Sequence, residues 1–336
     1  MANFRPRNTT PKRSVPVSWE ALLTVILLGS FAFGRMLSPV FVNADNLGNI
    51  LLDITEISLM ALPMTLIIVM GEIDLSVASV LGASSALMGA LWHAGLPMPA
   101  VMALVIAGGA AAGLLNGWLV VRLELPSLAV TIGTLALFRG LAYVLLGDQA
   151  VADFPASYTA FGMDTLGATL IPLPFVTVIA GAALFGVVLH ATPFGRSLYA
   201  IGANASAARF SGIDVRKIKL RLFVLSGLVS AIAGIIFTLR FTSARGDNGE
   251  GFELAVIAAV LFGGVSIFGG RGSLYGVLLS LLIVGVLRNA LTLVDVSSET
   301  LTIVTGLLLL SSVLIPNLAA GWRARKDKLS VVAGKR

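Results

Sequence analysis

Hydrophobic residues run along this chain in long blocks, and the polar residues fall between them. Ten blocks have roughly the length that about 30 Å of hydrocarbon demands of a helix. They are Trp19–Leu37, Ile54–Met70, Leu75–Trp92, Met98–Val121, Ser127–Leu146, Ile171–His190, Leu220–Leu239, Leu254–Phe268, Ser273–Leu291 and Thr300–Ile315. Each predicts a transmembrane helix, so the expected fold is all-α: a polytopic helical bundle of about ten spans over residues 19–316. A basic arm over 1–18 and a basic tail over 317–336 flank it. The largest polar interruption is Thr192–Arg221, where Arg196, Arg209, Arg216, Lys217, Lys219 and Arg221 face the single acid Asp214. Its middle predicts a short surface helix from Asn204 to Gly212. Asn204 suits an N-cap, Ala205, Ala207 and Ala208 are strong helix formers, and Gly212 suits the stop. A surface helix held between two spans can pass force to a cytosolic partner.

Composition removes most other classes. The chain is 57% hydrophobic and 12% charged over 336 residues, with a mean hydropathy of +0.96, which no ordinary soluble domain shows. A pI near 10.0 and a net charge of +6 would suggest nucleic acid in a soluble protein. Here the basic residues cluster between spans, so they report topology. Placing Arg5, Arg7, Lys12 and Arg13 of the arm in the cytoplasm also puts Arg122, the Thr192 loop, Arg271 and the tail's Arg323, Arg325, Lys326 and Lys328 there. Both termini are then expected in the cytoplasm, and Gly147–Leu170, with Asp148, Asp153 and Asp164 and no Lys or Arg, is expected outside. The four-residue join Gly71–Asp74 is compatible with a cytoplasmic turn or with a re-entrant, broken hairpin, and either restores the same face downstream. Trp19–Leu37 resembles a signal peptide after a basic arm, but it is long and no small-x-small site follows it, so an uncleaved first span is expected. The absence of Cys excludes disulfides, thiol nucleophiles and Cys-based metal sites.

Polar residues at membrane depth each cost about 2.5–3.5 kcal/mol on insertion scales and need a partner, water or a purpose. Glu72 and Asp74 lie between two apolar blocks, where Asp74 or Ser76 could cap the following helix and turn its N-terminal amides toward a polar ligand. The plainer reading is a turn with solvated acids. Arg139 lies on a face shared with Thr131 and either lines a polar path, or snorkels or pairs with an external acid. Asn116 sits among Gly109, Gly113 and Gly117, a small-xxx-small series that suits close helix packing. Arg288 and Asn289 close the ninth block near the outer face, as a solvated helix end. No metal ligand set is visible, and no cofactor is expected.

The segment Phe262–Gly276 mimics a phosphate loop with Gly270, Arg271, Gly272 and Gly276, but it lacks the strand and βαβ unit of a dinucleotide fold and the Gly-Lys-Ser/Thr of a Walker A. A tight cytoplasmic turn between packed spans fits better. His93 and His190 are the only histidines, and no HExxH, GxSxG or paired-carboxylate pattern accompanies them. The chain is therefore not expected to be an enzyme, and any ATP must be handled by another subunit.

IDLSVAS (73–79), LPSLAVTIGTLALFRGLAYVL (125–145), FGRSLYAIGAN (194–204), AARFSGIDV (207–215) and FELAVIAAVLFGGVSIFGGRGS (252–273) resemble the permeases of ribose-type sugar ATP-binding-cassette importers, over about 44–316. The resemblance implies a bacterial inner-membrane protein with ten spans. Its implied partners are a second permease, identical or homologous, a cytosolic ATPase with two cassettes, and an extracytoplasmic sugar-binding protein. It also implies that Asn204, Ala207, Ala208, Arg209 and Gly212 form the coupling helix seated in the ATPase. The pathway would draw on Asp74, Ser76, Asn116, Thr131, Thr134 and Arg139. These offer few hydrogen bonds and no aromatic platform, so selectivity is expected to sit largely in the binding protein. Where the family usually reads two glycines before Ile-Asp-Leu-Ser, this chain has Gly71-Glu72. Acids usually follow the coupling Asn, and here stand Ala205 and Ser206. Arg288-Asn289-Ala290 replaces the usual Asn-Gly or similar. A heteromeric permease pair, as in the subgroup importing rhamnose or autoinducer-2, would account for such drift.

Other readings predict different observations. Branched-chain amino acid or nucleoside import keeps the same machinery. A stand-alone secondary transporter would use Asp74, Glu72 and Arg139 as an ion-coupling site and run without an ATPase.

Overall fold

The computed structural model of the chain describes residues 18–297, 299–301, 303–304 and 306–307. The elements in chain order are α1 (Trp19–Leu37), a 3-10 turn (Pro39–Val42), α2 (Ala44–Asp53), α3 (Thr55–Val69), α4 (Val77–His93), α5 (Met98–Arg122) and α6 (Ser127–Leu146). They continue with α7 (Ala156–Met163), α8 (Leu173–Ala191), α9 (Pro193–Ala203), α10 (Ala205–Phe210), α11 (Val215–Phe241), α12 (Phe252–Phe262) and α13 (Leu274–Thr292). Among the described residues the fold is all-helical apart from two isolated β-bridges.

Six helices are long and apolar enough to cross a membrane: α1, α5, α6, α8, α11 and α13. The bent pair α2–α3, broken by 44° at Ile54, makes a seventh. At two of the ten expected blocks the helix is shorter than the block. The block Leu75–Trp92 forms the 17-residue α4, and Leu254–Phe268 forms only the 11-residue α12. At 1.5 Å per residue, α12 is roughly 16 Å long, about half of the hydrocarbon thickness. Gly263 ends it, and Gly264 follows at φ +91°, a conformation that apolar L-residues avoid. The arm up to residue 17, the tail 317–336 and most of Thr300–Ile315 lie outside the described residues.

At the centre stand α3, α4 and α11. All of α3 except Ile57 is buried, and α11 packs against α3, α4, α5 and α7. Small residues let α11 approach α5: a Cβ added at Gly113 would lie 2.2 Å from the Phe223 carbonyl oxygen, and one at Gly227 would lie 2.2 Å from that of Gly109. The glycine series read as packing is therefore a packing seam. Outward from it, α5, α6 and α8 expose large apolar side chains such as Leu114, Ile132, Val144 and Leu184. On a bundle of this composition that surface is a lipid face.

Two ends of the bundle are distinct. At one, Trp19 Nε1 donates to the Phe262 carbonyl (3.0 Å) and the Gly270 amide to the Val69 carbonyl (2.8 Å). The Tyr199 hydroxyl donates to Gly272 (2.8 Å), and Arg216 pairs with Glu124 (2.6 Å). The start of α1, the α3–α4 turn, the α5–α6 loop, α9, α10 and the α12–α13 turn thus share one face. The other end carries α7, the Val151–Ala244 bridge, and Trp92 Nε1 donating to Asp153 (2.7 Å). Gly71–Asp74 accordingly lies in a turn on the face of the basic loop.

Candidate functional site

The basic loop folds into two helices where one was expected. Thr192 caps α9 by accepting from the Gly195 amide (3.2 Å), with Pro193 in the first turn, a start signal that the sequence carries and that was missed. At Gly202 the backbone of α9 touches the end of α3 so closely that a Cβ would lie 2.0 Å from the Val69 carbonyl oxygen. Asn204 then caps α10, its Oδ1 accepting from the Ala207 amide (2.9 Å), and the chain leaves through Gly212 at φ +84°. Asp214 caps α11 by accepting from the Lys217 amide (3.1 Å). Its hydrogen bonds with Lys217 hold its carboxyl below the usual range.

Of the five residues expected on the surface of this helix, Asn204, Ala207, Arg209 and Gly212 are exposed. Ala208 is not: it is 4% exposed and belongs to the subunit's own core with Leu198, Ile201 and Val215. A one-turn helix lying on a bundle must turn one side inward, and Ala208 is on that side. Phe210 projects instead, at 94% exposure, with Phe268 of the α12–α13 turn at 81%. Phe210 was passed over, although an aromatic residue amid charges is itself a signal.

Beneath this platform the α3–α4 turn splits its two acids. Glu72 is largely covered and ion-paired with Lys219 of α11, so it is not a freely solvated turn acid. Asp74 is 2% exposed. Its Oδ1 accepts from the Ser76 amide (3.0 Å) and hydroxyl (2.6 Å), and its Oδ2 accepts from the Ser226 hydroxyl (2.8 Å). Asp74 thus covers the start of α4, while Ser76 makes no side-chain cap. Asn116 Nδ2 donates to Ser76 Oγ (2.8 Å), and its Oδ1 has no hydrogen-bond partner. Three candidates from α5 and the α3–α4 turn therefore form one buried knot. Thr131 lies beside it, donating to Ser127 (2.9 Å) and directed also toward Ile73 (3.4 Å), and Thr134 lies one turn further along α6.

Arg139 stands apart, toward the other end. Its guanidinium donates to the carbonyls of Gly246 (2.7 Å) and Asn248 (2.9 Å), holding the α11–α12 loop against α4 and α6. No local pattern encodes this anchor, because the partner is a backbone more than a hundred residues away. A second partly buried cation stands at the same end. Arg240, at the end of α11, donates to the Leu52 carbonyl (3.0 Å) and pairs with Glu56 (3.2 Å) and Asp53 across the α2–α3 break.

Polar groups knotted at the centre, helices interrupted within an apolar bundle and a surface helix on a basic loop together define a membrane transport subunit. Residues 46–313 match the family described as "Branched-chain amino acid transport system / permease component", and the chain belongs to that family. It is 39% identical over 281 residues to the ribose import permease protein RbsC of Bacillus subtilis (strain 168), covering 83% of this chain and 87% of that one. It is 34% identical over 300 residues to the autoinducer 2 import system permease protein LsrD of Escherichia coli (strain K12), covering 87% and 90%. No solved structure matches the chain. It is a multi-pass membrane permease component and not the ATPase.

Proposed function

We propose that this chain is the translocation subunit of an ATP-binding-cassette importer in the bacterial plasma membrane, carrying a monosaccharide or sugar-like solute of the ribose or autoinducer-2 type. The observation that carries the reading is the likeness to sugar permeases over more than four-fifths of the chain. The named family also covers amino acid permeases, and the two relatives favour sugar over that alternative. The partners are a two-cassette ATPase beneath the basic loop, a second permease, and a binding protein at the opposite end. The chain crosses the membrane ten times, counting Thr300–Ile315, and both termini are cytoplasmic.

Transport proceeds by alternating access. ATP closes the cassettes, their movement draws the coupling helices of the two permeases together, and the pathway opens to the loaded binding protein; hydrolysis resets it. The driving force is the different affinity of the ATP-bound cassettes for the two permease conformations. Gly202 and Gly270, packed on the end of α3, support a direct path from α10 to the buried helices. The test is reconstitution of the permease with an ATPase and a sugar-binding protein from the same genome, followed by uptake of labelled D-ribose, autoinducer-2 and L-leucine. Uptake of a sugar that requires both ATP and the binding protein is expected. Uptake of leucine alone, or uptake driven by an ion gradient without the ATPase, overturns the reading.

A further inference from the structure

The end of the bundle away from the basic loop holds a cavity of about 240 Å³, below the roughly 300–1,000 Å³ of sites for drug-sized ligands. It lies where two helices are interrupted. One wall is the α2–α3 break at Asp53 and Ile54, and another is the first half of the short helix α12, with Phe252 and Ala255. The ends of α11 and α13 complete it. Interrupted helices free backbone polar groups inside a membrane and are where transporters place solute sites.

The lining combines two kinds of group. Phe237, Phe241 and Phe252 form an aromatic cluster, with Phe237 centred 4.5 Å from Phe241 and 5.9 Å from Phe252. The Arg240 guanidinium lies 4.7 Å from the Phe241 ring centre and is tied to Asp53 and Glu56. Across from it, α13 contributes Arg288, exposed at the mouth, and Asn289, which exchanges hydrogen bonds with Asn46 at 2.9 and 3.0 Å. Asp53, Arg240 and Arg288 are the charged groups of the lining, and Arg240 is ion-paired with Asp53 and with Glu56 behind it, so its charge is not free to select an anion. A small neutral molecule fits, with hydroxyls for the charged groups and a C–H face for the phenyl rings.

We propose that this cavity is a sugar-binding subsite within the permease itself, selecting a monosaccharide after the binding protein has released it. The inference rests on the sugar-import reading above. It replaces the expectation that no aromatic platform exists in the membrane part.

The absence of native Cys makes a direct test available. In the reconstituted importer, Ala255→Cys places a single thiol on the cavity wall, open to a membrane-impermeant methanethiosulfonate. Millimolar D-ribose is expected to slow its modification at least about threefold, as occupancy of a weak site would. Phe252→Ala and Arg288→Ala are expected to lower the D-ribose carried per ATP hydrolysed by about tenfold. Arg288 is exposed, so its variant keeps the test alive should Phe252→Ala fail to assemble. If the unmodified importer carries D-ribose but the thiol is not protected, or neither variant changes the sugar carried per ATP, the subsite is wrong and the importer reading stands. If the unmodified importer carries neither D-ribose nor autoinducer-2, the reading of its function fails and the subsite falls with it; if it carries only autoinducer-2, that solute replaces D-ribose as the probe.

Discussion

Asp74 and Glu56 are carboxylates sunk to 2% and 1% exposure, and their surroundings separate them. Asp74 is held by a backbone amide and two hydroxyls, whereas Glu56 is held by the Arg240 guanidinium. Hydroxyls can rotate to accept from an amide, so Asp74→Asn is expected to insert and assemble with a loss of about 1 kcal/mol, read as a modest drop in melting temperature. Uptake by this variant should fall, and transport at the full rate would remove Asp74 from the pathway. Removing Arg240 leaves Glu56 buried without its cation. Arg240→Met should cost about 3–5 kcal/mol, and adding Glu56→Leu should recover part of that in thermal melts. Asp74, Ser76 and Asn116 were legible because each interrupts an apolar stretch. Arg240 and Glu56 were not, since both sit at the edges of their blocks and look like ordinary span ends. Their pairing is a contact across 184 residues, which no local pattern encodes.

At the scale of elements, α10 was readable from its cap, its alanines and its terminal glycine, and the structure places all three signals where the pattern put them. Which side of α10 faces out depended on what lies beneath it. Phe210→Asp together with Arg209→Glu should weaken co-purification of the ATPase and substrate-stimulated hydrolysis at least about tenfold, because a desolvated charge mismatch costs several kcal/mol. Retention of both at the unmodified level would make α10 a mere surface turn. Ala208→Trp tests something else: overpacking the subunit's own core, at about 1–3 kcal/mol of stability. The α5–α11 seam offers a matched pair of substitutions. Gly113→Ala drives a methyl into the Phe223 carbonyl and should lower the melting temperature, whereas Gly133→Ala, with nothing within 4 Å, should hold or raise it by improving helix propensity. Equal effects at the two positions would mean that α5 and α11 are not in backbone contact.

The molecule as a whole is polarised between two ends. Arg122, Arg196, Arg209, Arg216, Lys217, Lys219, Arg221 and Arg271 all belong to the end that carries α9 and α10. By the positive-inside rule, the proposed orientation has this end in the cytoplasm. In the Cys-free background, Asp148→Cys should react with an impermeant maleimide added to spheroplasts, and Ser211→Cys only after permeabilisation. The opposite pattern would invert the subunit in the membrane and detach α10 from any cytosolic ATPase.

Hydropathy alone determined that this is a helical membrane protein and where most of its helices run, because burying apolar blocks in lipid is a local requirement met block by block. Charge bias, again a sum over local terms, separated the ends. The caps of α10 and the glycine seam of α5 were likewise local chemistry. Only the tertiary structure decided that Leu254–Phe268 is a half-length helix, since its composition satisfies the hydropathy of a full span while Gly263 and Gly264 turn the chain back against α13. It alone decided that Ala208 faces inward, that Arg139 holds a loop, and that Phe237, Phe252, Arg240 and Arg288 meet around one cavity. Each of those depends on which helices become neighbours, and that is settled by packing across the whole bundle rather than by any stretch of chain.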